Sequence, residues 1–359
     1  MKRTRNLVLA AATSTALILT GCGSDSGNDG GSGDGAEGKI GVILPDTKSS
    51  VRWEAADRPA LQQAFEDAGV EYEIQNAEGN ADTMATIADG MIADGVTVLA
   101  IVNLDSDSGA AIQEKAAQQG VRTIDYDRLT LGGSADYYVS FDNTRVGELQ
   151  GEGLAQCLGD EEANLIFLNG SPTDNNATLF SEGAHSVLDA VDTYTNVGEQ
   201  AVPDWDNEQA VTIFEQLYTQ ADGEVDGVYA ANDGLAGSVV SILEKNGRAG
   251  EVPVTGQDAT VEGLQRILAG DQCMTVYKSA KLEAGALAET AIALVNGDDA
   301  ETNGTTEDAD GGREVPSILL DPQSITADNV KDVVDDGGVS ADDLCQGDFA
   351  ALCEDAGIS

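Results

Sequence analysis

Short polar clusters punctuate this chain, each placed where an apolar run ends. They are Arg52-Trp53, Tyr126-Asp127-Arg128, Ser140-Phe141-Asp142-Asn143, Gly170 to Ala177 (with Asn175 and Asn176), Ala231-Asn232-Asp233-Gly234, Gly256-Gln257-Asp258-Ala259 and Met274 to Lys278. Planar carboxylate, amide and guanidinium groups donate and accept hydrogen bonds in pairs, and the charge-assisted bonds are the stronger ones. The two tryptophans, Trp53 and Trp205, add flat apolar faces. Such a set suits a small polar ligand better than a metal. The single histidine is His185, and the cysteine spacings do not resemble a zinc site. No Gly-rich phosphate loop with its lysine is present.

These groups need elements to hold them. Ile40–Leu44 is a short apolar run, followed by a helical stretch over 54–68, a strand over 71–75 and a helix over 81–93. A strand follows at 96–102, a helix at 108–119 and a strand at 121–126. The rhythm breaks at 136–143 and restarts with a strand at 165–168 and a helix at 176–190. Next come a helix at 208–220, a strand at 227–231, a helix at 235–246, a strand at 253–257 and a helix at 261–269. A strand at 274–278, a helix at 281–296, a solvated acid-rich loop at 297–312 and a last strand at 317–320 complete the pattern. Apolar strands alternating with amphipathic helices give an α/β chain with two doubly wound parallel-sheet lobes. In open parallel sheets ligands bind at the C-terminal ends of the strands, where these clusters lie.

The N-terminus fixes an address. Lys2, Arg3 and Arg5 precede an apolar stretch from Leu7 to Thr20 that ends in Gly21-Cys22. This is the layout of a secretion signal peptide. The stretch is short for a membrane span, and a Cys directly after small residues resembles a lipoprotein signal, in which Cys22 carries the lipid. Residues 1–21 are then a removed leader and 22–38, rich in Gly, Ser and Asp, a flexible tether that cannot bury a core. Acidic residues outnumber basic ones 64 to 18, for a net charge of −46. That field repels nucleic acid and fits a solvated surface suited to high salt. Beyond Cys22 four cysteines remain: Cys157, Cys273, Cys345 and Cys353. An even count outside the cytoplasm favours disulfides, with three pairings open. Cys345 with Cys353 is the local choice, which leaves Cys157 with Cys273. Unpaired buried thiols are the alternative.

Taken in order, the clusters resemble those of type I periplasmic sugar-binding proteins of ABC importers, above all the D-xylose-binding branch and the related multiple-sugar and glucose receptors. The resemblance runs from Lys39 to about Leu320; the tail beyond Asp321, with its two cysteines, and the acidic surface depart from it. It implies an N-terminal lobe of 39–141 plus 279–316 and a C-terminal lobe of 142–278 plus 317–359. A multi-strand hinge near Asn143, Lys278 and Leu320 joins them, and the interlobe cleft encloses one pyranose. The residues it assigns to the sugar are Arg52, Trp53, Asp127, Arg128, Asn175, Asn176, Trp205, Asp233, Asp258 and Lys278, with no cofactor and no metal. The implied ligand is D-xylose, with glucose, galactose or arabinose as alternatives. The partner is an ABC permease, and a chemosensory role would use the same form of the protein.

Each assignment has a plainer reading. Asp233 and Asp258 could be helix N-caps, Arg128 a surface ion pair, Trp205 core, and Lys278 a partner of either aspartate. A glycosidase could use paired carboxylates. A cleft that encloses a monosaccharide leaves no room for a leaving group, however, and the neighbouring Arg52, Arg128 and Lys278 favour ionised acids. A repressor with two such lobes needs a basic helix-turn-helix where this chain has a leader and an acidic tether.

Overall fold

The computed structural model describes residues 38–358. The expected leader, Cys22 and nearly all of the tether lie outside the described residues. No helix among the described residues is long and apolar enough to cross a membrane.

The first lobe alternates strand and helix. It runs β1 (Lys39–Leu44), a π-turn (Trp53–Asp57), α1 (Arg58–Ala68), β2 (Glu71–Asn76), α2 (Ala81–Ala93) and β3 (Val96–Ile101), then α3 (Ser106–Gln118), β4 (Arg122–Tyr126) and β5 (Tyr137–Phe141). The second lobe follows with α4 (Asn143–Leu158), β6 (Ala163–Asn169), α5 (Asn175–Leu188), β7 (Tyr194–Ala201), a 3-10 turn (Pro203–Trp205) and α6 (Asn207–Gln220). It continues through β8 (Gly227–Ala230), α7 (Asp233–Lys245), α8 (Val261–Ala269) and β9 (Thr275–Tyr277). The chain then returns as α9 (Ala280–Val295), β10 (Gly304–Asp308) and β11 (Arg313–Leu320). It ends in β12 (Gln323–Ile325), α10 (Val330–Asp336), α11 (Ala341–Leu344) and α12 (Phe349–Asp355).

Sheet order in the first lobe is β10-β11-β5-β4-β3-β1-β2, parallel except for the β10–β11 hairpin. In the second lobe β7-β6-β8 are parallel, and a bridge from Val228 to Val254 extends the sheet. Hydrogen bonds from Cys273 N to Val254 O and from Val276 N to Gly256 O carry it on to β9, which pairs with β12. The central strands β1, β3, β4, β5, β6 and β8 are largely buried and sandwiched by helices, as parallel strands require, while the edge strands β2, β7 and β10 are more exposed. Polar side chains open the helices: Asn80, Asp105, Asp142, Asp174, Asn232 and Ser279 each accept a backbone N–H of the first turn.

The second lobe departs most from expectation. Helix α4 packs on α5 closely enough that a Cβ on Gly147 would overlap the Phe180 carbonyl oxygen. Two corrections concern the return segment. Residues 317–320, expected in the C-terminal lobe, belong to β11, which pairs in parallel with β5 of the first sheet. The loop expected over 297–312 contains β10. The chain passes between the lobes at Asp142, at Lys278–Ser279 and at Asp321–Pro322, and a hydrogen bond from Asp142 N to Leu320 O (2.9 Å) ties the first crossing to the third.

The tail folds back on the second lobe. Val330, Val333, Leu344, Cys353 and Ile358 share a core with Leu264, Ile267 and Tyr277. Cys345 is joined to Cys353 (Cα–Cα 5.8 Å) within the tail. Cys157 at the end of α4 is joined to Cys273 before β9 (Cα–Cα 6.6 Å).

Candidate functional site

The loop after β1 enters the π-turn, whose i→i+5 spacing stacks Asp57 beneath Arg52. Arg52 Nε and Nη2 donate to the two Asp57 oxygens at 2.8 and 2.6 Å, Nη2 also to Glu283 Oε2 at 2.5 Å, and Nη1 to Asp127 Oδ2 at 3.1 Å. Both carboxylates under the guanidinium are fully buried. The Trp53 indole N–H donates to Ser49 Oγ at 3.0 Å, and the guanidiniums of Arg52 and Arg128 lie 4.6 and 5.5 Å from its ring centre.

Asp127 follows β4 in the left-handed region (φ 61°), a conformation that turns its carboxylate into the cleft and is strained for a side chain with a Cβ. Its Oδ2 accepts from Lys278 Nζ at 3.1 Å as well as from Arg52, and its Oδ1 accepts from Asn176 Nδ2 at 3.1 Å. Burial pushes this carboxyl up. The opposing pull of Lys278, Arg52 and Arg128 is larger and holds it at about 2, so it is a carboxylate at any ordinary pH. Its carbonyl accepts from Tyr138, Ser140 and Asn176, which fixes the backbone beneath it. Arg128 reaches across to the second lobe, with Nε 2.9 Å from Asp174 Oδ2, and Nη1 donates to Asn103 O.

The second lobe supplies the facing wall. Asp174 caps α5 through Asn176 N and accepts the Trp205 indole N–H at 3.1 Å. The Trp205 ring lies on Gly170 and packs edge-on to Phe180. Asn232 caps α7 and donates to Ser49 O of the first lobe at 3.2 Å. Asp258 (φ 97°) accepts from Ser50 Oγ at 2.7 Å, again across the lobes.

The inward-facing members of this set line one cleft of about 300 Å³, its mouth included, with Asp57 and Glu283 behind its wall. It brings together Arg52, Trp53, Asp127, Arg128, Asn176, Trp205, Asp258 and Lys278 of the residues singled out from sequence. Two are not among its lining. Asn175, the first residue of α5, is one; Asn176 takes the inward position. Asp233 is the other. It is fully buried behind the wall, where its oxygens accept from Thr260 N, Thr260 Oγ1, Gln272 Nε2 and Thr275 Oγ1. Burial pushes its carboxyl up to about 6, against the pull of Arg266. Asp174, Asn232 and Gln257, which lie within the polar clusters but were not assigned to the ligand, also line the cleft, and so do Phe180, Ser49 and Ser50, which the sequence reading did not single out. The usable signal was capping: a cap residue at a strand's C-terminal end sits at the cleft floor, and Asp174 and Asn232 are such caps.

Among the described residues no group of three or more His, Cys, Asp or Glu side chains could hold a metal ion. The cleft's charged groups instead satisfy one another across the lobes, which is chemistry for gripping a neutral, hydroxyl-rich molecule.

Comparison with known proteins agrees with this geometry. Residues 40–299 match the family model described as periplasmic binding protein domain. The chain is 36% identical to a D-xylose-binding periplasmic protein of Escherichia coli over 92% of this chain and 96% of that one. It is 35% identical to the protein of that name from Haemophilus influenzae, over 82% and 88%. Among solved structures, a carbohydrate transporter solute-binding protein from Chloroflexus aurantiacus in complex with D-glucose superposes with a TM-score of 0.78 at 30% identity, covering 85% of this chain and 97% of that one. An ABC transporter solute-binding protein from Clostridium phytofermentans with bound β-D-glucose gives the same TM-score at 29% identity, over 85% and 99%. With the two-lobe fold, the interlobe cleft and these matches in hand, the chain belongs to the periplasmic binding protein family and is a solute-binding protein rather than an enzyme.

Proposed function

We propose that this protein is an extracytoplasmic receptor, lipid-anchored through Cys22, that captures one monosaccharide in the interlobe cleft and delivers it to an ABC permease. D-xylose is the first ligand of choice, on the strength of the relatives whose names carry that sugar. The observation that carries the reading is the convergence of Arg52, Asp127, Arg128, Asp174, Asn176, Asn232, Asp258 and Lys278 with two indoles around one small cleft. Carboxylates accept from sugar hydroxyls while guanidinium, ammonium and amide groups donate to them. The Trp53 and Trp205 faces suit the apolar C–H face of a pyranose. Sugar hydroxyls replace the water and interlobe bonds that these groups make, so ligand favours the arrangement in which both walls are in reach.

Calorimetric titration with xylose, glucose, galactose, arabinose and ribose tests the proposal. Saturable binding of at least one supports it, and silence toward all of them at millimolar concentration overturns it. A second reading, a glucose receptor, is favoured by the two glucose-bound neighbours, and competition of xylose against glucose separates the two. The anchor has its own test: Cys22→Ala should release sugar-competent protein into the medium, and a variant that stays with the membrane would disprove lipidation.

A further inference from the structure

We propose that Glu283 is a positioning residue for ligand capture: together with Asp57 it fixes the Arg52 guanidinium so that Nη1 alone is directed at the cleft. The inference rests on the reading above that Arg52 contacts the sugar.

Arg52 presents five N–H donors on a rigid plane. Asp57 takes Nε and Nη2, and Glu283 takes Nη2 from a second direction. Nη1 remains, and it points at the Asp127 carboxylate. Trp53 flanks the guanidinium at 4.6 Å. Asp57 and Glu283 therefore remove the freedom that an arginine on its own would lose on gripping a hydroxyl.

Glu283 also stands at a mechanical junction. It lies in the first turn of α9, directly after the crossing at Lys278–Ser279, and Ser279 caps that helix. Lys278 of the same crossing holds Asp127 from the other side. A shift of α9 relative to the first sheet would move the clamp on Arg52 and the lysine on Asp127 together.

The charge around it is unbalanced. Facing Glu283 are Arg52, Asp57, Asp127, Lys278 and the phenols Tyr126 and Tyr138. Three carboxyls thus share two cations, and Glu283 Oε1 has no hydrogen-bond partner. Burial pushes its carboxyl up to about 8, against the pull of Arg52, with Asp127 adding to the rise. With its proton held at neutral pH, Glu283 leaves the charge of Arg52 to Asp57 and Asp127 and that of Lys278 to Asp127. When it ionises, a buried anion competes with Asp127 for both cations.

The test is sugar affinity by calorimetry on the full folded chain, from pH 6.5 to 9, for wild type, Glu283→Gln and Glu283→Ala, with circular dichroism as the control for folding. Wild-type affinity is expected to weaken as pH rises through about 8. Glu283→Ala should lose about tenfold or more at pH 7. Glu283→Gln, which copies the shape of the protonated acid, should restore most of that loss and abolish the step near pH 8. Glu283→Gln alone decides the matter if the alanine variant does not fold. A step that survives in Glu283→Gln, or wild-type affinity in Glu283→Ala, overturns the proposal. If wild type binds no sugar, the reading of the cleft fails first.

Discussion

Arg128 Nε and Asp174 Oδ2 meet at 2.9 Å across the cleft, one side chain from each lobe, 7% and 4% exposed. Two buried charges in contact are a poor source of stability by themselves, but removing one leaves the other uncompensated at a cost of about 3–5 kcal/mol. Arg128→Met should therefore open the cleft and strand Asp174. Sugar affinity is expected to fall about a hundredfold or more, at 1.4 kcal/mol per tenfold. Unchanged affinity in a titration would remove this pair from ligand capture.

Asn232 and Asp233 are adjacent, and the structure gives them opposite duties. Asn232→Ala removes a cleft amide and a helix cap, so affinity should drop and stability fall by about 1 kcal/mol. Asp233→Asn disturbs a buried carboxyl with four accepted hydrogen bonds. Stability should fall by about 1–3 kcal/mol while sugar affinity stays at the wild-type value. Thermal unfolding beside calorimetry separates the two, and a loss of affinity in Asp233→Asn would place it in the cleft after all.

Gly170 is needed for its absent side chain. A Cβ there would collide with the Trp205 ring, which is itself held by Asp174. Gly170→Ala is expected to push the indole into the cleft, weaken sugar binding about tenfold or more and cost about 1–3 kcal/mol through overpacking. Tryptophan fluorescence should shift in the variant, and an unperturbed spectrum with full affinity would contradict this.

Asp125 carries a pH dependence that does not involve the cleft. It is fully buried under Thr130 and Gln113, and burial pushes it up to about 7 despite three accepted hydrogen bonds. Unfolded, an aspartate titrates near 4, or about 3.9 in peptides. Between those values the folded chain holds a proton that the unfolded chain has released, so this group makes stability fall as pH rises from about 4 to about 7, with no further loss above. Asp125→Asn should flatten that part of the curve of melting temperature against pH. An identical slope in the variant would refute the assignment.

Much of this was legible in the chain, and the gaps have physical causes. Helices α2 and α8 begin and end where capping and amphipathic spacing place them, at 81–93 and 261–269. Helix α4 was invisible because Gly147, Gly151 and Gly153 weaken its helical signal, although Gly147 and Gly151 are what let α5 approach. Strand β7 was invisible because as an edge it carries YTNVGEQA, with little apolar alternation, and no residue of it is fully buried. The pairing of β11 with β5 is a long-range fact that no local pattern encodes. In the site, strand-end clusters pointed to the right loops. Choosing Asn232 over Asp233, or Asn176 over Asn175, turns on which way one residue of a helix N-terminus faces, and residue type does not decide that.

The two cross-links have a consequence for how the molecule moves. Cys157–Cys273 joins parts of the second lobe, and Cys345–Cys353 joins parts of the tail that packs on it. Neither spans the boundary between lobes, where the backbone alone passes at Asp142, Lys278–Ser279 and Asp321–Pro322. Oxidation thus hardens one jaw of the molecule and leaves the joint without a cross-link. A reducing milieu would loosen that jaw and leave the three backbone crossings as they are.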